Sequence, residues 1–225
     1  MIANFLNLES GQQCCRDFFL ALKENLTAWP EVFEFFSFQI IEETKCMNCL
    51  KVTSTNEDSE PRLHLELEVP ANGTDLSYVV ETELTSSSDV EAYHCEKRNG
   101  GCGRKMTAKH TTKIKSLTDK QFLIVLLRRV TDTDEGYEIN RNNVRSTGSI
   151  QIVDKVGSSP TFTPIAVIDH TGSLGADGAT EGHYMCDIKS REGKWYHTSD
   201  NLTPKEITRR QVTKQAAVVL FSKQI

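Results

Sequence analysis

The chain has 225 residues, of which 38% are hydrophobic and 25% charged, and a formal net charge of -5 at pH 7. That length buries one sizeable core with at most an appended lobe, and the composition is that of a globular chain, not a disordered one. The acidic balance argues against general DNA or RNA binding and suits a basic partner surface. The longest apolar run, Phe122 to Leu127, is too short for a bilayer, and the amino terminus has no basic region followed by a long apolar stretch. A protein of the cytoplasm or nucleus with no membrane attachment is expected. Seven cysteines are an odd number for such a chain, and metal binding or catalysis is a better starting point for them than a disulfide framework.

Ser10 and Gln13 fit a capping box, and Cys15, Phe18, Phe19, Leu22 and Leu26 recur at helical spacing until Trp29-Pro30 stops the run. From Val32 to Ile41 the chain is apolar and aromatic-rich, which predicts a strand entering a core. That strand delivers Cys46-Met47-Asn48-Cys49, a knuckle that positions two thiolates for one metal. After a polar stretch, Leu63, Leu65, Leu67 and Val69 alternate with His64, Glu66 and Glu68 as in a half-buried strand. Thr74 is placed to cap a short helix with Leu76, Val79, Val80 and Leu84 on one face, and the serines from Ser86 to Ser88 return the chain to a loop.

Cys95 and Cys102 follow. With Cys46 and Cys49 they make a four-thiolate set that would close a tetrahedral zinc site with no open position; the plain alternative is four buried reduced cysteines. His94 and His110 are substitutes if a thiolate cannot reach. The stretch from Lys97 to Lys120 is locally basic, as a solvated strand face would be. Gln121 to Val130 is apolar over too long a run for one face and predicts a central strand buried on both. Ile150, Ile152 and Val153 make a short strand, and Thr163 to Ser173 a longer one. Asp169 and His170 are no catalytic pair, because adjacent strand residues point to opposite faces.

A glycine-rich run, Gly172, Gly175, Gly178 and Gly182, enters the stretch Gly182 to Lys189. There Tyr184, Cys186 and Ile188 alternate with Met185, Asp187 and Lys189; Arg191-Glu192-Gly193 supplies a turn, and Trp195 opens a second strand. On that hairpin a carboxylate at Asp200 can reach the imidazole of His183, fix its tautomer and stabilise its cation. A lone strand histidine is more often a surface or core residue. Thr203-Pro204-Lys205-Glu206 fits a second capping box and predicts a short helix running toward Val212, and Ala216 to Phe221 is a closing strand.

Gly182-His183-Tyr184, Lys194-Trp195-Tyr196, Asp200 and Ala217 to Phe221 together resemble the histidine box of the ubiquitin-specific proteases, papain-like cysteine deubiquitinases. Gln12-Gln13-Cys14-Cys15-Arg16-Asp17-Phe18 is similar to that family's Gln-Gln box, and Arg128-Arg129-Val130 to the end of a palm strand. The resemblance implies an α+β, papain-like fold with fingers and palm antiparallel sheets and a remnant of the helical thumb. It divides residues 1–225 into a thumb remnant helix (1–30), a zinc-fingers subdomain (31–120) and a palm with the histidine box (121–225).

It also implies thiol-dependent isopeptide hydrolysis of ubiquitin conjugates. His183 would be the general base and Asp200 the group that orients its ring. Gln13, Asp17, Gly182 and Tyr184 would border the ubiquitin tail, and structural zinc would sit on Cys46, Cys49, Cys95 and Cys102. The family's usual Asp or Asn falls on Ser199, which, unable to stabilise the cation by charge, is expected to matter little beside Asp200. The family's cysteine box lies upstream of the Gln-Gln box, and only ten residues precede Gly11. Cys14 and Cys15 occupy the Gln-Gln box, and Cys186 lies on the strand face opposite His183. The chain alone is therefore expected to be inactive, either lacking an N-terminal segment or being a non-catalytic ubiquitin-binding relative. A zinc-dependent nucleic-acid module is a distant third reading.

Overall fold

The structure is a computed structural model that describes residues 15–55, 59–133, 136–145, 148–174, 180–199, 202–207 and 216–224. Helices α1 (Cys15–Leu26) and α2 (Pro30–Phe36) precede the paired strands β1 (Ile40–Cys46) and β2 (Val52–Thr55). Strands β3 (His64–Glu68) and β4 (Thr74–Asp75) lead to helix α3 (Leu76–Thr85), then to β5 (Ser87–His94) and β6 (Lys105–Ile114). The rest is strand: β7 (Phe122–Arg128), β8 (Val130–Thr133), β9 (Gly136–Ile139), β10 (Val144–Arg145), β11 (Ile150–Gln151), β12 (Thr161–Leu174), β13 (Thr180–Lys189), β14 (Trp195–Thr198), β15 (Lys205–Ile207) and β16 (Ala216–Lys223).

Strand β7 explains the packing. Leu123 to Leu127 are all buried, and the unbroken apolar run is needed because both faces of the strand are covered. Leu123, Val125 and Leu127 enter a core shared with Leu76, Val79, Val80 and Leu84 of α3. Ile124 and Leu126 face the other way, toward Leu22 and Leu26 of α1 and Phe33 and Phe36 of α2. Each such side chain contributes about 1.5–3 kcal/mol when fully buried; α2 packs directly on this strand, whereas α3 lies against β3, β6 and β11 while sharing its core.

The large sheet has eight strands in the order β15, β14, β13, β12, β16, β7, β3, with β11 also paired to β12. Only the β3–β7 pairing is parallel among those described in it. A second, antiparallel sheet has the order β2, β1, β6, β5. The chain leaves this second sheet after β2, lays β3 on the first, and returns through α3. That excursion explains how two cysteine pairs far apart in sequence meet: the β1–β6 register from Ile40↔Ile114 to Cys46↔Ala108 brings the β1–β2 and β5–β6 turns to one end.

Four local expectations are corrected. Val32 to Phe36 is helix, not strand: Pro30 stands at the first helical positions, where its fixed φ suits a helix and no N–H is missed, and the i, i+3 pair Phe33 and Phe36 packs on the sheet. Thr74 does not cap α3. It pairs with Val144, while Asp75 at the cap position binds Arg145 at 2.7 Å. Ser87 and Ser88 begin edge strand β5. Lys205–Ile207 is a strand, not a helix: it covers the open edge of β14 with Trp195↔Ile207 and His197↔Lys205, and Pro204 immediately before it is tolerated at an edge.

Candidate functional site

Strands β12, β13 and β14 carry the histidine site. The hairpin turn after β13 closes with Gly193 at φ 84°, its N–H donating to the Ser190 carbonyl at 3.0 Å. On the other side β13 pairs with β12 so that Thr171 opposes His183 and Gly172 opposes Gly182. At that crossing the backbones nearly touch. A Cβ on Gly182 would lie 2.0 Å from the Thr171 carbonyl oxygen and 2.7 Å from the Gly172 Cα, so glycine is required there by close approach.

His183, half-buried, places its Nε2 2.5 Å from the Ser199 hydroxyl just past the end of β14. Thr171 Oγ1 also donates to the His183 backbone carbonyl at 3.2 Å. Asp200 and Gln13 lie outside the described residues, and Asp17 is described only as part of helix α1. Among the described residues, Ser199, to which the sequence reading gave little weight, stands at hydrogen-bond distance from His183. Gly182 and Tyr184 stand in β13 beside it.

A second histidine pair was missed in the sequence. Asp187 and His197 are opposite one another in the β13–β14 register, and His197 Nδ1 is 2.7 Å from the nearly buried Asp187 carboxylate. Hairpin spacing around the Arg191–Gly193 turn is the signal that could have found it. The rival pair behaves as strand alternation requires. Asp169 is buried beside the Arg129 guanidinium, whose charge burial pulls down to about 10 against the opposing effect of Asp169. His170 faces away and rests on the Tyr184 ring, with centroids 4.5 Å apart. Arg129 also donates to the carbonyls of Ala216, Asn140 and Asn142, tying three segments together. No cysteine with a described side chain shares the face of His183: Cys186 opposes Ile168 and Thr198, one position out of phase with the strand residues on that face.

The other cysteines are gathered at the far end of the second sheet. The sulfurs of Cys46, Cys49, Cys95 and Cys102 all lie within 4.8 Å of one another, with Cys46 and Cys102 3.9 Å apart and Cys49 and Cys95 3.6 Å apart. Four sulfurs bound at ~2.3 Å around a tetrahedral ion stand roughly 3.8 Å apart, so the set fits a metal. The Cys49 amide lowers the Cys46 thiol, and the Arg104 amide brings Cys102 down to about 7. For Cys95 the Cys102 amide acts in the same lowering sense, but burial and the neighbouring thiols prevail and push it up to about 12.

The fold is α+β, with mostly antiparallel sheets, few helices and a histidine at the open end of a hairpin in the larger sheet. A profile of the ubiquitin carboxyl-terminal hydrolase family matches residues 9–221, and the chain belongs to that family, with a ubiquitin-specific protease-type domain. Among human relatives, ubiquitin carboxyl-terminal hydrolase 17-like protein 15 is 28% identical over 187 residues, covering 80% of this chain and 30% of that protein. Human ubiquitin carboxyl-terminal hydrolase 42 is 24% identical over 223 residues, covering 95% of this chain and 15% of the other. The chain thus spans less than a third of these relatives. The SAGA Ubp8/Sgf11/Sus1/Sgf73 DUB module bound to ubiquitin aldehyde has a chain of the same fold, with a TM-score of 0.73, 17% identity, and coverage of 95% of this chain and 50% of that one. The module bound to monoubiquitin gives a TM-score of 0.72 at 17% identity, covering 95% and 49%.

Proposed function

We propose that the chain is the part of a thiol deubiquitinase that holds ubiquitin and supplies the general base, and that the nucleophilic cysteine comes from outside the described residues. The observation that carries this reading is the His183–Ser199 contact at the end of the palm hairpin. With Nε2–H donating to Ser199 Oγ, the Nδ1 lone pair takes the thiol proton. The thiolate attacks the isopeptide carbonyl, the leaving lysine amine receives the proton from His183, and water then releases the thioester. Asp200 is the proposed source of negative charge for the imidazolium, and Gln13, Asp17, Gly182 and Tyr184 border the ubiquitin tail.

Zinc on Cys46, Cys49, Cys95 and Cys102 is structural in this reading. Four thiolates leave no open position on the ion, so it would hold the fingertip turns together and take no part in hydrolysis. Ubiquitin as the partner is supported by the relatives' names and by the Ubp8 modules, which are described as bound to ubiquitin aldehyde or monoubiquitin. No helix among the described residues is long and apolar enough to cross a membrane, and the cytoplasm or nucleus is the proposed location.

The chain alone is proposed to be inactive, since no described cysteine side chain faces His183. Ubiquitin carrying a thiol-reactive carboxyl-terminal group should bind the chain without labelling it, and labelling should appear only when a polypeptide with the family's cysteine segment is added. Labelling of the chain by itself, lost in Cys14→Ala or Cys15→Ala, would overturn the reading and make it a working protease as it stands. A chain that binds ubiquitin and is never activated by the added segment would be a non-catalytic ubiquitin-binding relative.

A further inference from the structure

The outer end of the second sheet has a face that the metal set does not use. In the pairing register Val52, Lys45, Lys109 and Asp89 stand side by side across β2, β1, β6 and β5, and directly opposed residues share a face. Lys45 and Lys109 are thus a like-charge cross-strand pair, an arrangement that destabilises a sheet. Asp89 answers only one of them, binding Lys109 at 2.7 Å. Lys105, exposed and on the same side of β6, adds a third cation. Of the nearby carboxylates, Glu43 is engaged by Lys113 and Lys155 and Glu96 by Arg98, while Glu91 of β5 makes no ion pair among the described residues. Among the described residues no ion pair is made by Lys45 or Lys105. In a chain of net charge -5 this end is locally positive.

The turn beside this row is unusual in its backbone. Leu50 follows the first cysteine knuckle with φ 59°, a left-handed conformation that a side chain disfavours, and it is 60% exposed. In the β5–β6 turn the left-handed positions are glycines, Gly100 at φ 75° and Gly103 at φ 73°. Glycine would serve equally at Leu50 for the turn alone, so the leucine is not explained by folding. Met47 and Val52, at 47% and 44% exposed, extend the apolar surface next to it.

We propose that this fingertip surface, Lys45, Lys105, Lys109 and Val52 edged by Leu50 and Met47, docks an acidic polypeptide segment that presents an apolar anchor residue. Carboxylates of the partner relieve the opposed lysines, and the anchor covers Leu50 and its neighbours. The exposed apolar residues are aliphatic, which suits a protein partner and offers bases nothing to stack on. The docking surface is independent of the histidine site, and it does not require the chain to be catalytic.

The test is fluorescence anisotropy of the full chain with a short labelled peptide of Glu and Asp around one central Leu. Controls are the Lys counterpart of the peptide, the same peptide with Ser at its centre, a single-stranded oligonucleotide and ubiquitin. The acidic peptide should bind in a salt-sensitive way. Lys45→Glu with Lys105→Glu, and separately Leu50→Gly, should each weaken it about tenfold or more. Leu50→Gly should do so with an unfolding midpoint equal to or above that of the parent, because glycine suits the left-handed turn. Ubiquitin affinity should stay unchanged in both variants. No binding of the acidic peptide, binding unaffected by these changes, equal or tighter binding of the oligonucleotide, or a parallel loss of ubiquitin affinity would each overturn the proposal.

Discussion

His183 and Ser199 meet at 2.5 Å between ring nitrogen Nε2 and hydroxyl oxygen, across the open end of the β13–β14 hairpin. A hydroxyl there can donate to the ring nitrogen or accept from it, so it orients the ring without selecting a tautomer, and it contributes no charge to the imidazolium of the proposed reaction. Ser199→Ala should therefore release the ring from this contact, read as altered 15N shifts of the labelled imidazole. Ser199→Asp, assayed with an added polypeptide carrying the family's cysteine segment, should raise turnover by about tenfold. Unchanged ring shifts in Ser199→Ala would show that other groups hold the ring.

The four-cysteine set makes a second prediction. Protein purified without chelator should contain one zinc per chain, and Cys49→Ser should lose it. Apparent binding free energies of structural zinc are on the order of 10 kcal/mol, large beside the few buried residues at that end of the sheet, such as Cys46, Cys95 and Ala108. Amide-exchange protection of the β5–β6 hairpin should fall with the metal while that of β7 and β16 persists. Well-folded protein without metal would sink the assignment.

A third prediction follows from the Gly172–Gly182 crossing. The atoms that a Cβ on Gly182 would strike are the Thr171 carbonyl oxygen and the Gly172 Cα, both backbone, followed by His170 Nε2 at 2.8 Å. Backbone in a paired strand cannot yield without breaking the register, so Gly182→Ala should cost about 3 kcal/mol, the upper end of overpacking penalties. Gly148, with open space around it, serves as the control: Gly148→Ala should leave the denaturant midpoint within error. Equal midpoints for the two variants would refute the steric account.

Much of the large sheet is legible in sequence because its signals are local. The unbroken run Leu123 to Leu127, the alternation from Leu63 to Val69, and the turn residues from Arg191 to Gly193 each encode burial or reversal directly. The misread segments are those decided by partners distant in the chain. Lys205–Ile207 becomes a strand because β14 offers an edge, overriding a capping pattern, and Asp75 leaves its helix for Arg145, whose position depends on the parallel β4–β10 pairing. In the candidate site, the motif singles out His183 and the family pattern falls on Ser199, but their contact depends on how the chain leaves β14, and the Asp187–His197 pair required the hairpin register.

Glu43 ties the two sheets. Its carboxylate, 8% exposed, is bound by Lys113 of β6 at 2.9 Å and by Lys155, which follows β11 and whose backbone N–H donates to the Ile114 carbonyl at 2.9 Å. The two lysines are 40% and 37% exposed, so the buried member carries most of the desolvation. Removing the acid leaves cations that water can solvate, and Glu43→Gln should cost only about 1 kcal/mol. Removing both cations strands a buried carboxylate, and Lys113→Met with Lys155→Met should cost roughly 3 kcal/mol. Urea midpoints at neutral pH check the order; the reverse order would mean that the lysines do not compensate Glu43.

His170 gives the fold an acid sensitivity. Burial lowers its affinity for a proton, and the Arg141 guanidinium lowers it further. Its Nε2 is buried over Gly182 and finds no hydrogen-bond partner among the described residues, while the ring rests on Tyr184. Because the folded state binds this proton less readily than the unfolded chain, acid favours unfolding: the stabilisation is complete above the ordinary histidine range of about 6.5 and is lost as pH falls through that value toward the depressed folded one. His170→Phe keeps a ring against Tyr184 and removes the titration. Its urea midpoint should fall less between neutral pH and about pH 5 than that of the parent, and the difference between the two slopes isolates His170 from the carboxylates that titrate lower. Parallel slopes in the two proteins would show that His170 is solvated when protonated, and that its packing over Gly182 carries no electrostatic cost.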